Sequence, residues 1–238
     1  MHAQSHRPVT LLDDERLAQS GVVANCRMNR ERVLVGSNGY DHELGFNPFE
    51  MLLARLESQQ SARWLDLCCG QGRALIEAAE LAHAHDLGDR VEIVGVDLAG
   101  MFAPRPRYLQ GLRFFQASLT DWRPERAFDL ITCIHGLHYI GDKLGLLARA
   151  ASWLTADGVF TANLGLENFR DGRGQPSGRS VAAELRRAGF EYNTRTRRVR
   201  CVGHRQVEWP FRYLGADDGA GPNYTGQPAI HSCYERAT

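Results

Sequence analysis

From Ala62 onward the chain alternates short apolar runs with stretches of helical periodicity. Trp64-Leu65-Asp66-Leu67 reads as a buried strand, residues 70–72 as a glycine turn, and Ala74-Leu75-Ile76-Glu77-Ala78-Ala79 as a helix. Further strands are predicted over residues 91–96, 112–115, 128–133 and 158–164, with apolar residues at helical spacing over 144–154. Strands alternating with helices imply βαβ units in a parallel sheet, and right-handed crossovers leave few topologies open.

The remaining segments carry weaker patterns. Pro104 and Pro106 cannot sit inside a helix, so only a short helix over 99–102 and then a loop is predicted there. A helix over 181–188 is closed by Gly189 as a C-terminal cap. Residues 190–202 and 206–214 are rich in β formers and are expected to pair antiparallel at the sheet edge. Upstream, residues 21–35 read as a hairpin or a loose arm. The run Pro48–Leu56 reads as a helix with Asn47 as N-cap and Pro48 at its first position. Residues 215–238 mix Gly, Pro and Asn as a loop would, and could cover a substrate pocket. The whole reads as one domain, with an N-terminal arm and helix over 1–60 acting as a lid and a core over 61–238.

Composition narrows the function. The 238 residues are 43% apolar, enough for a sizeable core, and the formal net charge is +0. No global field pulls the protein onto nucleic acid or an anionic membrane, and neither partner is expected. Lys143 is the only lysine. The six cysteines form no Cys-x-x-Cys pair and no zinc-type spacing, so no metal site and free thiols are expected. Residues 1–19 are polar, without the apolar run of a signal peptide, and nothing approaches the roughly 20 apolar residues of a membrane span. A cytoplasmic protein is the expectation, with a homodimer left open.

The chemistry concentrates in Leu65-Asp66-Leu67-Cys68-Cys69-Gly70-Gln71-Gly72-Arg73, a strand, a glycine turn and the opening of a helix. Glycine admits positive φ and close ligand approach, and a helix N-terminus offers unpaired N–H groups. A dinucleotide fingerprint would need a third glycine at position 75, which is Leu75. Asp66 instead precedes the glycines, and a carboxylate there suits an ammonium-bearing ligand and repels a pyrophosphate.

Asp66-x-x-x-Gly70-x-Gly72 after a strand resembles the first motif of class I S-adenosylmethionine (SAM)-dependent methyltransferases. The resemblance implies a Rossmann-like α/β sheet, mostly parallel with an antiparallel edge strand and helices on both faces. It also implies that Leu67, Cys68, Gly70 and Gly72 wrap the amino-acid part of SAM, with Asp66 alongside. Gly95-Val96-Asp97-Leu98 matches the second motif, implying that Asp97 binds the ribose hydroxyls and Leu98 the adenine. In Phe115-Gln116-Ala117-Ser118-Leu119, Ser118 stands where the family often has an acid, with Leu119 beside it and Asp121 as a substitute. The fourth strand and its loop, through Ile134, His135 and His138, also match. They lack the Asn/Asp-Pro-Pro-aromatic signature of base and side-chain amide methylation. The likeness runs over residues 61–164.

In that family the loop after strand four faces the reactive centre, so His135 and His138 are candidate bases. The alternative is that they cap or pack the loop. Tyr40 is read as a lid contact on SAM or as a packed tyrosine, with His42 and Phe46 as pocket candidates and Asp142 as a helix N-cap. Arg195, Arg197, Arg198, Arg200 and Arg205 could hold an anionic acceptor or be the solvated face of an edge strand. The implied activity is methyl transfer from SAM to oxygen or nitrogen of a small biosynthetic acceptor, giving S-adenosylhomocysteine. The alternatives are other chemistry on the same fold, such as cyclisation, or a non-catalytic SAM-binding partner.

Overall fold

The computed structural model describes residues 11–24 and 31–237. Cys26, most of the N-terminal stretch and the middle of the arm expected over 21–35 lie outside the described residues. Helices α1 (Asp14–Ala18), α2 (Gly21–Ala24), α3 (Tyr40–Leu44) and α4 (Pro48–Leu56) precede the sheet. Strand β1 (Ala62–Leu67) leads through α5 (Arg73–Ala84) to β2 (Val91–Asp97), β3 (Leu112–Gln116) and β4 (Phe128–Cys133). After α6 (Lys143–Ser152) come β5 (Leu154–Asn163) and β6 (Phe169–Asp171), then α7 (Gly178–Arg187). The chain closes with β7 (Glu191–Asn193), β8 (Arg198–Val202), β9 (Phe211–Asp217) and β10 (His231–Arg236).

The main sheet has seven strands in the order β3-β2-β1-β4-β5-β8-β7. Strands β1 to β5 pair parallel, and β8 runs antiparallel to β5 with β7 beyond it. The chain builds outward from β1 through β2 and β3, then returns to lay β4 on the other side. That reversal opens a crevice at the carboxyl ends of β1 and β4, where such sheets bind ligands. Both faces of β1, β2 and β4 are buried, which explains their near-continuous apolar runs. Leu65, Leu67, Val96, Ile131 and Phe160 pack on the side of α6 and α7, in one cluster. Trp64, Ile93 and Leu130 face the other way, with Tyr40, Phe49 and Leu52 of α3 and α4. The alternation along β1 follows from the two-residue repeat of a strand.

Local chemistry sets several boundaries. Asn47 accepts the Phe49 N–H at 2.9 Å and starts α4. Asp142 accepts the Gly145 N–H at 2.9 Å and starts α6. Gly189 ends the turn after α7 with φ +79°.

Three expectations are corrected. Residues 99–102 form no helix: the Ala99 N–H turns back to Asp97 Oδ1 at 2.9 Å, and Gly100 has φ +62°. The two late β-rich stretches do not pair with each other. Residues 190–202 make their own β7–β8 hairpin, while β9 joins a separate sheet in the order β6-β10-β9. The tail is not all loop, since β10 pairs antiparallel with β9 and parallel with β6. Contacts distant in sequence hold this small sheet to the start of α6. Trp209 Nε1 donates to Leu144 O at 2.6 Å, and the Leu144 N–H donates to Tyr234 Oη at 3.0 Å. No helix among the described residues is long and apolar enough to cross a membrane.

Candidate functional site

The turn after β1 carries positive φ at alternate positions: Cys68 at 58°, Gly70 at 59° and Gly72 at 71°. Asp97, at the carboxyl end of β2, holds it in place. Its Oδ2 accepts the Gly70 N–H at 3.0 Å while Oδ1 accepts the Ala99 N–H. A Cβ on Gly72 would stand 2.3 Å from the Phe114 ring, so this glycine answers both to backbone conformation and to an aromatic ring pressed on it. Phe114 itself stacks on Phe102 with centroids 4.7 Å apart.

Leu98, Ser118 and Leu119 come together in one crevice beside the end of β2, whose lining does not include Asp66, Gly70, Gly72 or Asp97. Leu17, Val23 and Ile140 also line the crevice. The two N-terminal helical turns were missed in the sequence because neither is long enough to show a period. Ser118 Oγ lies 2.7 Å from Thr120 Oγ1. Asp121 is exposed and does not line the crevice.

Asp66 is wholly buried. The Tyr40 hydroxyl donates to its Oδ2 at 2.6 Å and the Thr132 hydroxyl to its Oδ1 at 2.5 Å. Thr132 in turn accepts from Trp64 Nε1 at 2.8 Å. Burial pushes the Asp66 carboxyl up to about 7, against the lowering effect of its two hydroxyl donors. Tyr40 is therefore a packed tyrosine beneath the turn, its ring edge-on to Trp64. His42 is exposed and Phe46 is partly buried against the core.

A second group of side chains gathers at the carboxyl ends of β4 and β5. His135 has φ 56°, and its N–H donates to Asn163 Oδ1 at 3.2 Å. Ile134, before it, is buried in the core. His135 Nε2 approaches Glu43 Oε1 of α3 at 3.1 Å, at an angle that leaves the ring without a well-formed hydrogen bond. The contact with His135, helped by the charge of Arg32, holds Glu43 down at about 2 despite burial. His138 is 1% exposed. Burial, reinforced by electrostatic repulsion from the neighbouring His135, Lys143 and Arg197, lowers it to about 3. It is thus a neutral wall of the site and a weak proton acceptor.

The tail reaches this group. Ile230 N–H donates to His138 O at 3.0 Å, and the Tyr224 ring lies 5.3 Å from that of His138 and 6.3 Å from that of His135. Arg197 stands over Tyr224 with its guanidinium carbon 4.2 Å from the ring centroid. Its own φ is 50°, and it pairs with Glu167 at 2.7 Å. Arg198 donates to Glu43 O, and Arg205 to Ala188 O and Val202 O. These arginines are structural ties as much as a solvated face. Glu43, Asn223 and Tyr224 were not singled out in the sequence. Among the described residues no group of His, Cys, Asp and Glu could hold a metal ion.

A doubly wound sheet with a glycine turn and an acidic second strand at its switch point defines a Rossmann-like α/β protein. The chain belongs to the family described as a methyltransferase domain, which it matches over residues 40–195. Among its relatives is the trans-aconitate 2-methyltransferase of Acidovorax sp. (strain JS42), 30% identical over 118 residues, which are 49% of this chain and 43% of that protein. The enzyme of the same description from Escherichia coli O7:K1 (strain IAI39 / ExPEC) is 29% identical over 118 residues, 49% of this chain and 44% of that one. The chain spans less than half the length of these relatives. Among solved structures, a SAM-bound amino pentose methyltransferase from Micromonospora echinaspora is 21% identical, covering 52% of this chain and 50% of that one, with TM-score 0.38. A sugar N-methyltransferase from Streptoalloteichus sp ATCC 53650 is 25% identical, covering 48% and 46%, with TM-score 0.34. At these TM-scores the structural likeness carries no argument.

Proposed function

We propose that this chain transfers a methyl group from SAM to oxygen or nitrogen of a small-molecule acceptor, leaving S-adenosylhomocysteine. One observation carries the reading: Asp97 ends β2 with its carboxylate pinned on the Gly70 turn, beside the crevice of Leu98, Ser118 and Leu119. Each Asp97 oxygen accepts one backbone N–H and keeps lone-pair capacity for the two ribose hydroxyls. Leu98 and Leu119 offer apolar surface to an adenine, with the Ser118 hydroxyl at their edge. The turn from Leu67 through Cys68 and Gly70 to Gly72 would lie along the amino-acid part. Asp66, buried beneath that turn, supports it and does not reach the ligand itself. When bound, SAM supplies an electrophilic methyl on a sulfonium.

What the protein adds is position, since an in-line displacement gains most from holding the acceptor close and aligned. His135 lines the reaction centre and takes a proton when the acceptor is a hydroxyl, with Glu43 stabilising the charge it gains. Among the described residues, α1 and α2 act as cover, while α3 and α4 pack with residues 61–237 in the core of one domain. A cytoplasmic, biosynthetic role completes the reading, supported by a net charge of zero that draws the protein to neither nucleic acid nor membrane.

The test is turnover. Full-length protein is incubated with SAM and a low-molecular-weight cell extract, and S-adenosylhomocysteine is followed by mass spectrometry. Extract-dependent product supports the proposal. Extract compounds converted without SAM consumption would point to cyclisation-type chemistry, and no conversion at all to a non-catalytic SAM-binding partner.

A further inference from the structure

Buried polar atoms without partners are rare and destabilising, so a concentration of them calls for an explanation. Here they converge from distant parts of the chain. Nδ1 of His135, both ring nitrogens of His138, the Tyr224 hydroxyl and Asn223 Nδ2 are all buried without a hydrogen-bond partner. His135 is 5% exposed, His138 1% and Asn223 7%. The two histidines come from the loop after β4, and the other two from the turn before β10. Backbone strain marks the same place, with positive φ at both His135 and Arg197.

The turn is built to stay there. Asn223 N–H donates to Gln227 O at 2.7 Å, and Asn223 Oδ1 accepts the Thr225 N–H at 2.7 Å. Ile230, at its far end, is tied to His138 O. Arg197 packs on the Tyr224 face, which fixes the ring without occupying its hydroxyl.

We propose that Tyr224, facing His135 and His138, with Asn223 beside it in the same turn, forms the acceptor subsite and selects a small molecule that presents hydroxyl groups. This rests on the methyl-transfer reading above and narrows its acceptor. The argument is the donor–acceptor character of the lining. A neutral imidazole offers one donor and one acceptor, and a tyrosine hydroxyl offers both. A hydroxyl group on the ligand is likewise donor and acceptor, and can satisfy such a wall completely. A carboxylate only accepts and would leave ring acceptors orphaned, while an ammonium only donates. The nearby charges are already committed, Arg197 to Glu167 and Glu43 to Arg32 and His135.

The experiment is saturation-transfer NMR on the full chain saturated with S-adenosylhomocysteine, using catechol and myo-inositol, succinate, and butylamine as probes. A hydroxylated probe is expected to bind, and Tyr224→Phe to weaken it about tenfold, the change that 1.4 kcal/mol represents. S-Adenosylhomocysteine affinity should stay unchanged and the melting temperature should not fall, because phenylalanine keeps the ring under Arg197 and removes an unpartnered hydroxyl. Binding of succinate or butylamine in preference would overturn the proposal. So would an unchanged affinity in Tyr224→Phe. The titration with S-adenosylhomocysteine, run first, reads the cofactor assignment separately. If it binds and no hydroxylated probe does at millimolar concentration, this proposal alone fails.

Discussion

The Tyr40 hydroxyl donates to Asp66 Oδ2 across 2.6 Å in the interior, so a residue of α3 fixes the carboxylate that precedes the glycine turn. That carboxylate carries a pH signature. Its ordinary value is 3.8, and burial raises it to about 7 in the folded chain. Between those values the folded state holds a proton that the unfolded state has lost, so this residue's contribution to stability falls as pH rises. Asp66→Asn removes the dependence. The variant is expected to gain on the wild type by a few kcal/mol between pH 4 and pH 8, at about 1.4 kcal/mol per pH unit across the shifted window. Urea melts across that range measure the difference, and parallel curves for the two proteins would refute it.

Gly72 and Phe114 should be energetically coupled. Alanine at position 72 meets both a φ of +71° and a ring 2.3 Å away. Gly72→Ala is expected to cost about 1–3 kcal/mol from strain and overpacking. Adding Phe114→Leu should recover the packing part and leave the conformational part. A double-mutant cycle by thermal melting reads the coupling, and strict additivity would show that the ring does not constrain this turn.

Lys143 ties the small sheet to the core. Its Nζ donates to Ile140 O at 2.9 Å, Ile230 O at 3.0 Å and Ser232 Oγ at 2.7 Å, and burial lowers it from 10.5 to about 7. Between about 7 and 10.5 the unfolded chain binds a proton that the folded one does not, so its contribution to stability rises with pH. Lys143→Met should therefore be tolerated best near pH 6 and fall behind the wild type by a few kcal/mol toward pH 10. A stability gap that stays constant over that range would contradict the assignment.

Much of the main sheet was legible because its strands are buried on both faces and write themselves as apolar runs, as in Val91–Asp97. The ends of those strands were legible too, and Leu98, Ser118 and Leu119 line one crevice there. The small sheet was not. Its pairing depends on Trp209 reaching Leu144 and Lys143 reaching Ile230, and β10 buries Ser232 where a pattern reading looks for an apolar residue. In α3, the pocket candidate His42 faces solvent, while its neighbour Glu43 meets His135. One residue is about 100° around a helix, enough to exchange outside for site. Tyr224 and Asn223 sit on a turn, with no period to announce them.

The cofactor assignment is tested most directly by isothermal titration calorimetry of the full chain with SAM and S-adenosylhomocysteine, beside Asp97→Ala. Both ligands are expected to bind the wild type at micromolar level, with affinity lost by at least tenfold in the variant, as removal of hydrogen bonds to a charged group implies. A folded wild-type protein that binds neither ligand at sub-millimolar concentration, or an Asp97→Ala variant that binds both as well as the wild type, would contradict it.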